Sequence, residues 1–163
     1  MNIVSLERLS RKKITHFFNQ HWGSVEMVIS SGVYDCASLD GFAVLNKDNG
    51  ITGLITYVFK DAECEIISLD SLGEKKGIGT LLFEAVEKVA AQNGCRRITL
   101  ITTNDNLLAL KFYQKRGFRI STIHRDAVEK ARRIKPEIPM FGNDGIPIRD
   151  EIELEKGVTG YGK

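Results

Sequence analysis

A glycine-rich turn contains the residues of this 163-residue chain whose types and spacing best suit ligand binding. Gly77 and Gly79 flank Ile78, directly after an extended run over 63–70 and at the start of a strongly amphipathic helix. Glycines at such a turn let the backbone approach a ligand, and a helix N-terminus offers unpaired N–H groups and a positive dipole end. The pattern predicts a phosphate or pyrophosphate site, with a simple tight turn as the alternative.

A second segment follows one strand later and makes the pattern more specific. It begins with Asn106 and Ala109, continues to Tyr113 and ends at the Gly-Phe pair 117–118. Together the two segments resemble the GNAT superfamily of acetyl-CoA-dependent N-acetyltransferases. In that family the glycine-rich turn holds the CoA pyrophosphate, and an Asn-x-x-Ala-x-x-x-Tyr…Gly-Phe segment follows one strand later.

The order of the predicted elements is mixed α/β. The resemblance implies a GNAT-like acyl-CoA N-acyltransferase fold, with a central, mostly antiparallel sheet, splayed central strands and flanking helices. Residues 24–39 are irregular and give no clear prediction, and Asp126 and Glu129 have the spacing of a capping box. Hydrophobic patterning and turn residues predict strands over 2–6, 41–46, 51–59, 63–70, 98–102, 118–124 and 148–156, and helices over 10–21, from Gly77 to Asn93, over 106–116 and from Asp126 to before Pro136.

The chain length indicates one domain, which we assign to residues 1–156. The family resemblance covers this same range and is strongest over 63–118. The segment 124–147 is longer than the family's usual connection, so we interpret it as an insertion near the acceptor side. Residues 157–163 are glycine-rich and predict a flexible tail.

Composition excludes several function classes. The net charge of +2 gives no reason to expect nucleic acid or a membrane surface as the main partner. No apolar run approaches the ~20 residues that span a bilayer. The three cysteines are odd in number, far apart and not spaced with the histidines as metal ligands. We therefore expect a cytoplasmic protein with reduced, buried thiols and no metal, and leave a homodimer open.

The resemblance assigns the cofactor residues, with acetyl-CoA as cosubstrate. Asn106 either contacts the pantetheine arm, as its family counterpart does, or only caps the following helix. The family usually has Arg or Gln where this chain has Glu74. The two lysines after it either offset that carboxylate or belong to a solvated loop. The resemblance places Leu69 and Ser71 on the pantetheine edge, and Lys76, Gly77, Gly79 and Thr80 in the pyrophosphate turn.

Three residues are catalytic candidates. Tyr113 could protonate the departing CoA thiolate, because a phenol of pKa ~10 stays protonated at neutral pH; alternatively it packs the helix against the sheet. Glu63 and Glu65 lie on one face of their strand, and Glu63 matches the place of a general base in some GNAT enzymes. A carboxylate there would act through water. Alternatively, both are exposed strand-end carboxylates, and positioning alone supplies the rate.

The acceptor is predicted to be a small-molecule primary amine, since the insertion over 124–147 would narrow an open groove into a pocket. A protein N-terminus or lysine is the second choice, and a CoA-binding sensor or interaction module without catalysis is the alternative. A nucleotide at the glycine-rich turn is a third possibility. The candidates for the acceptor pocket, each equally consistent with core or surface, are His16, Trp22, Tyr34, Asp35, Tyr57, His124 and Arg125.

Overall fold

The computed structural model describes residues 2–72 and 77–158. The predictions for Glu74, for Lys76 and for 159–163 of the tail lie outside these residues. The fold is mixed α/β, with seven strands in a mostly antiparallel sheet, a separate two-stranded hairpin and four α-helices in the described part of the chain. The predicted fold class is confirmed.

The strands, in chain order, are β1 (Asn2–Ser5), β2 (Glu26–Ile29), β3 (Gly32–Asp35), β4 (Asp40–Leu45), β5 (Ile51–Lys60), β6 (Glu63–Ser71), β7 (Arg97–Thr103), β8 (Arg119–His124) and β9 (Glu151–Gly157). The α-helices are α1 (Arg11–Trp22), α2 (Ile78–Gln92), α3 (Leu107–Lys115) and α4 (Ala127–Ile134). Short 3-10 turns span 6–8 and 36–38.

The contacts group the described residues into two compact units. The first contains 2–27, 35–72, 77–98 and 157–158, and the second contains 28–34 and 99–156. The division falls inside β7, after Ile98. A single domain over 1–156 with an inserted segment stays a prediction.

The first unit is built on four antiparallel strands in the order β1-β4-β5-β6. The predicted meander of β4, β5 and β6 is confirmed. β5 and α2 approach closely at Gly53, where an added Cβ would lie 2.4 Å from Ile78 Cγ2. The core contains side chains with almost no solvent exposure, among them Phe18, Leu54, Ile55, Leu82 and Phe83.

The second unit contains most of the strands in the order β7-β9-β8, with β8 antiparallel to β9, together with α3, α4 and most of the β2–β3 hairpin. The hairpin falls within residues 24–39, for which the sequence patterns make no clear prediction. It is fixed by Glu151 of β9, whose Oε1 accepts the Ser30 backbone N–H at 2.9 Å and the Ser30 hydroxyl at 2.5 Å. Such a long-range contact has no local sequence signal.

Most helix ends agree with their predicted signals, with one exception. The Ser10 hydroxyl accepts the Lys13 N–H at 3.1 Å at the start of α1, and Gly23 ends that helix with φ +81°. The capping box predicted at the start of α4 is wrong. Asp126 adopts φ +58° without a side-chain cap, and its own N–H donates to Asp150 Oδ1 at 2.8 Å.

The last strand is shorter than predicted. β9 begins at Glu151 and not at 148, because the preceding backbone groups have partners elsewhere: the Ile148 N–H donates to the Met140 carbonyl, and the Arg149 carbonyl accepts from Val128. No α-helix in the described ranges is long and apolar enough to cross a membrane.

Candidate active site

The glycine-rich turn leads into α2 through a left-handed residue. Gly77 is the N-cap of α2 with φ +71°, a conformation that costs other residue types about 1 kcal/mol. Its carbonyl accepts the Leu81 N–H at 3.0 Å, and the position of its missing Cβ is open for 4 Å. Gly79 and Thr80 follow in the first turn and are half-buried. Gly77 supplies no side-chain cap to this 15-residue helix, and the N-terminus of a helix is a common place for an anion to bind.

A β-bulge in β6 decides which side chains share a face. Tyr57 lies opposite Ile66, but Thr56 lies opposite Ser68, so Ile67 is an extra residue in β6. Residues opposite one another in an antiparallel pair point to the same side of the sheet. One face of β5 and β6 therefore carries the pairs Lys60–Glu63, Val58–Glu65, Thr56–Ser68 and Leu54–Asp70.

The bulge places Asp70 on the same face as Glu63 and Glu65. A buried hydrogen bond of 2.5 Å between the hydroxyls of Thr56 and Ser68 fixes the shared face after the bulge. The predicted pantetheine-edge residues, Leu69 and Ser71, pair with Ile55 and Gly53 and so lie on the opposite face, which α2 covers at Gly53.

Glu63 and Glu65 each contact a cation. Glu63 Oε2 accepts the Arg97 Nε–H at 2.6 Å and also pairs with Arg97 Nη2. Glu65 is buried, with 6% of its surface exposed, and its Oε1 lies 3.3 Å from Lys60 Nζ. Both candidate bases are therefore engaged in ion pairs, which lower their availability to a substrate proton.

Asp70 was missed by the sequence reasoning and is the most unusual carboxylate of this face. Its Oδ2 is buried and has no hydrogen-bond partner among the described residues, although Trp22 hydrogen-bonds the carboxyl group. Burial raises the pKa of Asp70, while the Trp22 bond and the nearby His21 act in the opposite direction. Regular alternation would have placed Asp70 on the face opposite Glu63 and Glu65, so only a recognised bulge could have identified it.

In the second unit, α3 carries the two other candidates. The Asn106 side chain caps α3 by accepting the Ala109 N–H at 3.1 Å, which was one of its two predicted roles. The Tyr113 side chain is 5% exposed and packs edge-to-face against Phe112 and Phe118, each at 5.1 Å between ring centroids. This packing fixes the ring, and the role of its hydroxyl stays a prediction.

The remaining polar candidates are distributed elsewhere. Asp35 pairs with Arg11 at 2.6 Å, and His124 Nε2 lies 3.1 Å from Glu153 Oε1. All three cysteines are free and buried, as expected, and burial raises the pKa of Cys64 to about 12. Among the described residues, no three His, Cys, Asp or Glu side chains form a metal-binding group.

Comparison with known proteins identifies the class. The sequence profile described as the acetyltransferase (GNAT) family matches residues 11–118, and the chain therefore belongs to this family. This confirms the resemblance on which the sequence prediction was based. The fold and the family define an acetyl-CoA-dependent N-acetyltransferase, with acetyl-CoA as its cosubstrate.

Individual relatives and solved structures are similar to this chain over most of its length. Uncharacterized protein YxbD of Bacillus subtilis (strain 168) is 53% identical over 156 residues, which is 96% of this chain and 98% of the relative. A Bacillus subtilis acetyltransferase in complex with CoA is similar with 27% identity and a TM-score of 0.59, over 73% of this chain and 76% of that one. An IAA acetyltransferase from Bacillus cereus ATCC 14579 has a TM-score of 0.69 at 19% identity, over 96% of this chain and 99% of that one.

Proposed function

We propose that this protein transfers the acetyl group of acetyl-CoA to a primary alkyl amine of a small-molecule acceptor by direct attack on the thioester. The observation that supports the proposal is Asp70, a half-buried residue whose carboxylate oxygen Oδ2 is buried and has no hydrogen-bond partner among the described residues. It lies between Leu69 and Ser71, the residues that the family resemblance assigns to the pantetheine edge. An ammonium group is the natural partner for such an oxygen.

The cofactor would be held mainly by backbone groups. In this proposal the peptide groups of Leu69 and Ser71 bind the pantetheine arm, and the N–H groups around Gly77, Gly79 and Thr80 bind the pyrophosphate. Lys76 would add positive charge to the same turn. Binding through peptide groups leaves the side chains on the Asp70 face free to select the acceptor.

Asp70 would act on the amine before attack. An alkylammonium ion must lose a proton to become a nucleophile, and a carboxylate whose pKa is raised by burial accepts that proton more readily than an exposed one. Glu63 and Glu65 are weaker candidates because Arg97 and Lys60 already occupy them. We therefore assign the role of general base to Asp70. Glu63 and Glu65 would have a secondary role, as negative charges on the same face of the sheet.

Tyr113 would complete the proton balance. The neutral amine nitrogen forms a bond to the thioester carbon, the carbon–sulfur bond breaks, and the departing thiolate takes a proton from the Tyr113 hydroxyl. The nitrogen then releases its remaining extra proton, which returns through water to the Tyr113 phenolate, and Asp70 releases to solvent the proton that it took from the ammonium ion. Asn106 contributes by fixing the start of α3, the helix that carries Tyr113.

Thiol release from acetyl-CoA tests this proposal. Alkyl diamines, amino acids, aminoglycosides and peptides with a free N-terminus are compared as acceptors, each with the parent and with Asp70→Asn. We expect small alkylamines to accelerate thiol release, and anilines, which are uncharged at neutral pH, to do so far less. Faster reaction with peptides than with any small amine would assign a polypeptide acceptor. If CoA binds tightly but no amine accelerates thiol release, the protein is a CoA-binding module and not an enzyme.

A further inference from the structure

A cavity lies in the first unit, at the end of β5 remote from the glycine-rich turn. Its volume is about 570 Å³, within the range of roughly 300–1,000 Å³ typical of small-molecule sites. Phe59, which lines it, is six residues along β5 from Gly53, the contact point with the start of α2. At 3.3 Å per residue this is a separation of about 20 Å along the strand. The cavity is therefore distinct from the cofactor turn.

One wall of this cavity is aromatic. The rings of Phe42 and Tyr57 stack with 6.1 Å between centroids and 28° between planes, and Tyr57 contacts Phe59 at 5.3 Å. Tyr57 is buried, whereas Phe59 is 39% exposed, so the Phe59 ring is accessible from solvent. Because all three rings line the cavity, they offer π-faces and edges to a ligand.

The rim of the cavity is negatively charged. Asp40 and Glu7 line it, and neither makes a hydrogen bond or ion pair with another described side chain. Their charges, together with the larger effect of burial, raise the pKa of Tyr57 to about 12. Arg11, a cation that also lines the cavity, is engaged by Asp35 Oδ2 at 2.6 Å and by the Ser38 hydroxyl. Arg11 therefore does not neutralise the negative charges of Asp40 and Glu7.

We propose that this cavity is a binding site for an organic cation, an ammonium group on an apolar body, separate from the acetyl-transfer site. Aromatic faces attract cations through their quadrupoles, and the carboxylates of Asp40 and Glu7 add an attraction of the same sign. An anion would be repelled by the rim. A neutral apolar ligand would gain only from the rings.

Choline and its carbon isostere 3,3-dimethylbutan-1-ol provide a matched pair of probes, since they differ in charge and hardly in shape. Each is titrated into the full chain, with potassium chloride as the ionic-strength control, while the backbone amides of Ser38 and Gly41 are followed by NMR. We expect saturable shifts with choline and an affinity about 5- to 30-fold weaker for the isostere, the range of a cation–π contact. Equal affinities, or no saturable shift with choline, would overturn the proposal.

Substitutions locate the site. Asp40→Asn and Phe59→Leu should each weaken choline binding several-fold, because the first removes charge and the second removes a π-face. The matched controls are Asp48→Asn in an exposed turn and Phe141→Leu in the second unit, where the phenylalanine is 61% exposed. Both controls should bind choline like the parent. Equal losses in the controls and in the cavity variants would show that binding occurs elsewhere on the surface, and the cavity would lose its assignment.

Discussion

The two halves of β6 carry carboxylates under opposite conditions. Before the bulge, Glu63 and Glu65 each contact a cation, Arg97 and Lys60 respectively. After the bulge, Asp70 is hydrogen-bonded by the neutral indole of Trp22, and one of its oxygens has no partner among the described residues. All three lie on the same face, so the face of the sheet does not explain the difference. The carboxylates differ in whether a cation lies within reach.

This difference distinguishes the carboxylates with a structural role from the one with a proposed catalytic role. A paired carboxylate is compensated within the fold, whereas an uncompensated buried one costs stability and persists where a function requires it. The bulge at Ile67 is what brings Asp70 to this face, and bulges often re-aim side chains next to active sites. Asp70, which follows the bulge, is therefore the carboxylate to test for catalysis. Glu63 and Glu65, which precede it and form ion pairs, provide the control.

Tyr113→Phe tests the proposed proton donor to the departing CoA thiolate, which acts in the same reaction as the proposed base Asp70. The change keeps the ring that packs between Phe112 and Phe118 and removes only the hydroxyl. If proton transfer to the thiolate limits the rate, turnover should fall about 10²–10⁴-fold, with little change in acetyl-CoA affinity. Stopped-flow thiol release and a CoA titration measure the two quantities. Parent-like turnover would leave Tyr113 as a packing residue and positioning as the source of rate.

Asp70→Asn removes the negative charge of the carboxylate that follows the bulge in β6 and keeps the shape of the side chain. We expect kcat/KM for the amine to fall about 10²–10³-fold, with the KM for acetyl-CoA unchanged, because the carboxylate acts on the acceptor alone. The acidic limb of the pH profile of kcat/KM should also disappear, which a purely structural role would not cause. Asp48→Asn is the matched control. A variant that retains both the rate and the acidic limb would break the comparison.

Glu63→Gln removes the charge of a carboxylate that precedes the bulge and forms an ion pair with Arg97. Because Glu63 is bound to Arg97 and half-exposed, its loss should reduce kcat/KM by less than about tenfold, an effect of packing and local charge only. A fall as large as that of Asp70→Asn would return the general base to Glu63, the residue that the family pattern favoured. Steady-state kinetics of the two variants with one amine decide between them.

Local signals predicted most of the fold. Ser10 and Gly23 delimit α1, and apolar runs separated by turn residues mark β4, β5 and β6, because caps and turns are set by neighbours in sequence. The β2–β3 hairpin and the start of β9 depend on partners far along the chain and were missed. Of the candidate site, the glycine-rich turn was recognisable from its motif. Asp70 was not, since one extra residue in a strand inverts the face of everything after it.

The smallest expected effect concerns stability, where Asp70 and Asp35 should respond to pH in opposite directions. Burial raises the pKa of Asp70 above its ordinary 3.8, so its contribution to stability is complete below that value and is lost as the pH rises through the raised value. The Arg11 hydrogen bond lowers the pKa of Asp35, so its contribution is present above 3.8 and is lost as the pH falls through the lowered value.

Asp70→Asn should therefore be more stable than the parent near pH 7, by about 1 kcal/mol, because the amide still buries a polar group but no charge. That gain should shrink toward about pH 4, where the parent's own carboxyl takes up a proton. Asp35→Asn should instead be less stable than the parent near neutrality and approach it in acid. Thermal unfolding of the three proteins across this range measures both trends. A constant difference between Asp70→Asn and the parent would mean that Asp70 is compensated in the folded chain, and the contrast between the two halves of β6 would no longer identify a base.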